Sequence, residues 1–142
     1  MWSVPHYTLD TNIAVYAFTD VAEKGLTSRL VLERSQFISV QVLNEFANVA
    51  HRKHGRAWPE IRAASERLRR AVPKILPLDE SIHADGLRIA EEHRLSLYDS
   101  LLLASALSGG ARTFYSEDMQ HGMTIYETLR IVNPFVPGAL DT

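Results

Sequence analysis

Short β-prone runs alternating with longer amphipathic helical stretches constrain this chain more than any other feature. Tyr7-Thr8-Leu9, Gln36–Val40, Lys74-Ile75-Leu76, Thr113-Phe114-Tyr115 and Ile131–Phe135 read as extended pieces. Between them, Ile13–Phe18 and Leu26–Arg34 read as helices, the latter with Leu26, Leu30 and Val31 on one side. From Gln41 on, Val42, Leu43, Phe46, Val49 and Ala50 follow the i, i+3, i+4, i+7 spacing of a buried helical stripe. Pro59 suits the first turn of a helix running to about Ala71. Ser81–His93 is a further amphipathic helix, and Ser96-Leu97-Tyr98-Asp99 opens the most apolar one, stopped by Gly109-Gly110. Strands separated by helices predict an α/β domain with a mostly parallel sheet. At 142 residues the chain reads as one domain, 1–142, large enough for its own core.

Such a sheet gathers its connecting loops at the carboxyl ends of the strands, where sites form. Asp10 follows the first strand at once, and Asp118 follows a later one by three residues, so both are expected at the same edge. Glu45 lies just outside the apolar arc of its helix, and Asp99 lies in the first turn of the apolar helix. Each has an ordinary structural role available. Asp10 can cap the following helix, with Asn12 sharing the task. Glu45 can be a snorkelling or salt-bridged boundary residue. Asp99 can close a capping box with Ser96, and Asp118 can belong to a turn before Gly122. Ser116 can satisfy that turn or offer its hydroxyl to the same pocket. The functional alternative is a shared carboxylate pocket, with Thr11 or Asn12 holding Asp10 by hydrogen bonds. Two carboxylates about 4 Å apart repel by roughly 4 kcal/mol at an effective dielectric of about 20. A pocket of this kind must therefore protonate or take up a divalent cation.

The remaining features narrow the field. The absence of cysteine excludes disulfides and thiolate metal sites. The six histidines form no zinc-like pattern. No nucleophile elbow, Gly-rich dinucleotide loop or Walker loop is present. No stretch is apolar enough for a membrane span, and Met1–His6 lacks the features of a signal peptide, so a cytoplasmic protein is expected. Net charge is −2 but unevenly spread. Eight basic residues (Arg52, Lys53, Arg56, Arg62, Arg67, Arg69, Arg70 and Lys74) face only Glu60 and Glu66, giving +6 over that stretch and −8 over the rest. The arm reads either as a solvated Arg-rich helix face or as a guide for a polyanion.

Leu9-Asp10-Thr11-Asn12, Asn44-Glu45-Phe46, the run from Tyr98-Asp99-Ser100 to Ala106, and Ser116-Glu117-Asp118-Met119 with Gly122 resemble the four acidic signatures of PIN domains. The likeness is greatest to the VapC-type ribonuclease toxins of bacterial toxin–antitoxin modules and runs from Tyr7 to about Pro134. Ser100 stands where a small Ala is more usual, and Met119 where an aliphatic residue is common. The resemblance implies a three-layer α/β/α sandwich with a central, mostly parallel sheet. It implies that Asp10, Glu45, Asp99 and Asp118 form a catalytic pocket for Mg2+ or Mn2+, with Asp10, Asp99 and Asp118 as the expected metal ligands and Asn12 and Ser116 shaping the pocket. It further implies an RNA substrate cut to leave a 5′-phosphate, a small cognate antitoxin and a homodimer. Glu45 and Asp99 stand equally as the acceptor of the attacking water's proton. Two other readings fit less well. A non-catalytic receiver-like module that binds a cation or partner at its acidic edge would want a second acid after Asp10, and a haloacid-dehalogenase-like phosphatase would want Asp-x-Asp where this chain has Asp10-Thr11-Asn12.

Overall fold

The computed structural model describes residues 6–19 and 22–141; residues 1–5, on which the reading of a leader mostly rests, lie outside them. The described elements are β1 (Tyr7–Leu9), α1 (Thr11–Ala17), α2 (Ala22–Arg34), β2 (Phe37–Ser39), α3 (Val40–Arg52), α4 (Trp58–Ala71) and β3 (Lys74–Leu76). They continue with α5 (Glu80–His93), α6 (Leu97–Ser108), β4 (Thr113–Tyr115), β5 (Thr124–Ile125), β6 (Leu129–Val132) and a 3₁₀ turn at Ala139–Asp141.

The strands form a ladder in the order β1-β4-β6-β5, with β1–β4 and β4–β6 parallel and β5–β6 antiparallel. Parallel β2 and β3 form a second pair. That pair lies beside β1 through single bonds rather than a full ladder. The Gln36 N–H donates to the Tyr7 carbonyl (3.1 Å), the Tyr7 N–H to Gln36 Oε1 (2.6 Å), and the Thr8 hydroxyl to the Phe37 carbonyl (2.7 Å). Helices flank this mostly parallel sheet, α1 packing on α2, α3 on α4 and α5 on α6, as expected for an α/β/α sandwich.

The core explains the spacing of the apolar residues. Leu9, Phe114 and Ile131 from the sheet meet Leu102 and Leu103 of α6 and Ile89 of α5, all at most 2% exposed. Burying one such side chain stabilises the fold by about 1.5–3 kcal/mol. Val42 and Phe46 are buried within this core, so they are not an oligomer surface. The helical stripe assigned to Leu26, Leu30 and Val31 divides: Val31 is buried while Leu26 and Leu30 are exposed. Leu87 on α5 is likewise exposed. Gly86 is where α5 meets α6, and a Cβ there would stand 2.7 Å from Leu101 Cδ2.

Several boundaries differ from the sequence reading: α1 begins at Thr11 and α2 at Ala22, earlier than expected, and Val40 opens α3 rather than closing β2. The last strand is Leu129–Val132 rather than Ile131–Phe135, because Asn133 turns the chain: its side-chain Oδ1 accepts from the Phe135 N–H (2.9 Å). Helix α5 begins at Glu80, one residue earlier than expected, because Asp79 caps it by accepting from the Ile82 N–H (2.9 Å). Ser100 also repays attention. It is fully buried and its hydroxyl has no hydrogen-bond partner, so it serves only as a small residue. Ser100→Ala should therefore raise stability by about 1 kcal/mol in a denaturant titration; destabilisation would show that the hydroxyl has a partner.

Candidate functional site

The site begins where β1 and β4 end together. Leu9 is registered against Tyr115, and the Asp10 N–H adds one more bond to the Tyr115 carbonyl (2.8 Å). Asp10 and Ser116 are thus the first residues past two adjacent parallel strands. Ser116 is held in turn by its N–H to the Val132 carbonyl of β6 (2.9 Å). The backbone therefore sets Asp10 and Ser116 side by side, and their side chains meet: the Ser116 hydroxyl donates to Asp10 Oδ2 (2.8 Å). Ser116 Oγ also accepts from the Met119 N–H (3.2 Å), so it serves the local turn and the pocket at once.

Three consecutive residues at this edge reach two segments, the loop after β4 and helix α3. The Asp10 carboxylate accepts from the Thr11 N–H (2.7 Å), which caps α1, and from Ser116. The Thr11 hydroxyl donates to Glu45 Oε1 on α3 (2.9 Å). The Asn12 amide donates to Asp118 Oδ2 (2.5 Å). Helix α3 is aimed by its own cap, in which Ser39, the last residue of β2, accepts from the Val42 N–H (3.4 Å). Glu45 then follows on the face that carries Gln41, whose amide donates to Glu45 Oε2 (2.7 Å). Asp99 enters from the first turn of α6, where Ser96 Oγ accepts its N–H (3.1 Å), the expected cap.

The charges sense one another. Asp10 is only 6% exposed, and burial pushes its carboxyl from 3.8 up to about 7 against the pull of the Ser116 and Thr11 hydrogen bonds. The negative charges of Asp99 and Glu45 push it the same way. Asp99 is raised chiefly by burial and further by Asp118, with Ser96 opposing. Glu45, Asp10, Asp99 and Asp118 therefore form one electrostatic string at the sheet edge. Glu117 does not join it. Its carboxylate pairs with Lys24 and accepts from the Tyr16 hydroxyl (2.7 Å), which separates its role from that of its neighbour Asp118.

The sequence reading placed all of these acids but missed some of their contacts. It gave Thr11 or Asn12 to Asp10; the Thr11 N–H does serve Asp10, but the Thr11 hydroxyl serves Glu45 and the Asn12 amide serves Asp118. It did not consider Gln41, although a Gln four residues before a Glu on a helix is a recognisable pairing. Beside Glu45, an open depression of about 550 Å³ is lined by Gln41, Asn44, Glu45, Asn48 and Tyr98.

The donor set is oxygen only, which suits Mg2+ or Mn2+. Among the described residues, no group of three acidic or histidine side chains is drawn close enough to enclose an ion unaided. Mg2+ does not require such a cage, since it keeps several waters and commonly takes one or two carboxylates plus substrate phosphate oxygens. Asp10, carrying a proton near neutrality and flanked by further acids, is a group whose ionisation a cation would favour. The residues present therefore fit a hard divalent cation.

The PIN domain family's sequence profile matches residues 7–122. No curated protein matches the sequence. Solved structures share the fold. A toxin–antitoxin complex from Klebsiella pneumoniae is 20% identical with a TM-score of 0.69, the match covering 91% of this chain and 98% of that one. A DNA-bound VapBC from Salmonella typhimurium is 21% identical with a TM-score of 0.65, covering 90% and 97%. The sarcin-ricin loop cleaving toxin VapC20 of Mycobacterium tuberculosis is 18% identical with a TM-score of 0.64, covering 79% and 91%.

Proposed function

This chain belongs to the PIN-domain family, and on that premise we propose that it is a metal-dependent endoribonuclease acting as the toxin of a toxin–antitoxin module. The observation that carries the reading is the placement of Asp10, Glu45 and Asp118 at one strand edge by bonds through Ser116, Thr11 and Asn12, with the charge of Asp99 near enough to raise Asp10. Mycobacterial VapC20, which shares the fold, cleaves the sarcin-ricin loop, which supports RNA as the substrate class here.

In this reading Asp10, Asp99 and Asp118 would hold Mg2+ or Mn2+, which would supply activation of a water and neutralisation of charge on the phosphoryl oxygens. The chain's own residues do the rest. The Ser116 and Thr11 bonds fix the orientation of the Asp10 carboxylate, and Asn12 fixes Asp118. Glu45, held at both oxygens by Thr11 and Gln41, has its geometry set before substrate arrives. It or Asp99 accepts the proton of the attacking water as the phosphodiester opens to a 5′-phosphate and a 3′-hydroxyl. The test is incubation of the protein with single-stranded RNA in Mn2+ or in chelator. Cleavage in Mn2+ alone is expected; metal binding without cleavage of varied RNAs would leave a cation-binding module instead.

A polyanion must still be held near an acidic edge. We assign that task to the Arg52–Lys74 arm, which covers the end of α3 and all of α4. Part of it is internally paired: Arg56 with Glu60 (3.5 Å), and Arg69 and Arg70 with Glu66 (3.4 and 3.3 Å). These pairs are exposed, so they contribute little to stability and yield readily to phosphate. The Arg67 guanidinium lies 5.4 Å from the Phe18 ring centroid. Reversing Arg67 and Arg70 to Glu should weaken RNA binding and reduce the slope of log affinity against log salt by about 1.4, at roughly 0.7 per lost contact on a single strand. An unchanged slope would remove the arm from RNA binding.

The toxin–antitoxin assemblies among the structures of this fold support a cognate antitoxin as partner; we further propose that it is small, that it covers the acidic edge when the toxin is silent, and that the toxin is a homodimer. A ribonuclease so controlled belongs in the cytoplasm; among the described residues no helix is long and apolar enough to cross a membrane.

A further inference from the structure

We propose that the depression beside Glu45 is a nucleobase subsite, in which Tyr98 stacks on an unpaired base next to the scissile phosphate and the carboxamides of Asn44 and Asn48 read its edge. The inference rests on the ribonuclease reading and adds to it which part of the RNA is gripped beside the acids.

Five observations carry it. Gln41, Asn44, Glu45 and Asn48 fall at i, i+3, i+4 and i+7 on α3 and line the depression together, so this is a continuous polar stripe, set off from the buried Val42 and Phe46. Tyr98 closes the other side. It is 62% exposed although most of α6 after it is buried, and it shares the depression with Glu45, so a base stacked on it lies beside one of the acids. The chemistry of the lining excludes a phosphate: no lining residue is cationic, and Glu45 would repel one. A π face with two exposed carboxamides, each both donor and acceptor, instead matches how single-stranded bases are bound, by stacking on an aromatic and hydrogen bonds to a base edge. The size also fits, since about 550 Å³ lies within the range of small-ligand clefts. Finally, the stripe runs on to Arg52, one of the basic arm's residues, seven residues beyond Glu45 and about 10 Å along the helix. A strand with one base in the cleft thus has its next phosphates directed to the arm.

Tyr98→Ala, Tyr98→Phe and Asn48→Ala, each at an exposed position, are to be compared with the unaltered protein in two assays. The first is binding of a fluorescent single-stranded RNA in chelator. The second is cleavage in Mn2+ of oligonucleotides carrying each of the four bases beside the cut. Loss of the stacking ring should weaken binding and raise KM about tenfold, within the range known for a stacked base, with kcat changed far less. Tyr98→Phe should bind as the unaltered protein does. Asn48→Ala should flatten the base preference at one nucleotide. If the unaltered protein cuts RNA while Tyr98→Ala and Asn48→Ala bind and cut with unchanged KM and base preference, the subsite is overturned and the nuclease stands. Binding that depends on the Tyr98 ring without any cleavage would keep the subsite and remove the nuclease. Neither binding nor cleavage by the unaltered protein would remove both.

Discussion

Asp10→Asn should lose at least about 10²–10³-fold in RNA cleavage and, in the absence of metal, unfold at a higher temperature than the unaltered protein at pH 7.5. The two effects have one cause. Asn keeps the shape of Asp10, can accept from the Thr11 N–H, and can meet Ser116 by rotation of its hydroxyl, but it carries no charge to bury beside Asp99 and Glu45. A carboxyl raised from 3.8 to about 7 holds its proton in the folded state where the unfolded state has released it. Stability therefore falls as pH climbs from about 4 to about 7, and stays low above that. The full shift is worth up to about 4 kcal/mol. Removing it should raise Tm by an amount on the order of 5–10 °C at pH 7.5 and little at pH 4. Saturating Mn2+ should raise the Tm of the unaltered protein, by about 2.7 kcal/mol of stability at a hundred times Kd, and leave the variant unmoved. A variant less stable than its parent at pH 7.5 without metal would show that Asp10 is not held under electrostatic stress.

Thr11→Val should reduce cleavage by about 10–100-fold, the usual loss when a residue orienting a group of the site is removed, with Mn2+ affinity little changed because the backbone N–H still serves Asp10. Valine fills the buried volume of Thr11 but cannot donate to Glu45 Oε1. Thr11→Ser should restore most of the function, because it returns the hydroxyl. Gln41→Leu removes the other bond to the same carboxylate, so the double variant should lose less than the product of the single losses, the mark of two residues acting through one group. Wild-type kinetics in Thr11→Val would mean that Glu45 takes no part.

The acids were legible because their placement follows from strand ends. A residue directly after an apolar β-run must emerge at the sheet edge, which located Asp10 and, through the Thr113–Tyr115 strand, Ser116 and Asp118. Capping chemistry announced the start of α6, since Ser96 three residues before Asp99 leaves little choice. What was not legible depends on long-range geometry. Nothing local says that the Thr11 hydroxyl reaches α3, thirty-four residues on, rather than its neighbour. Strand β5 escaped notice because its turn into β6 is made by Tyr126 and Glu127 at φ +51° and +58°, where Gly or Asn would have signalled a hairpin. Leu26, Leu30 and Leu87 look like core in a helical pattern; their exposure follows from which faces of α2 and α5 find a neighbour.

The most direct test of a shared ion is paramagnetic broadening of the amide spectrum during a Mn2+ titration at pH 7.5. The resonances of Asp10, Glu45, Asp99 and Ser116 to Asp118 should fade first and together, while acidic positions elsewhere, such as Asp79, which caps α5, and Asp85 within it, keep their intensity; in Asp10→Asn the same broadening should need far more metal. Fading centred on another part of the surface, or spread evenly over all acidic residues, would contradict a common metal position at the strand edge.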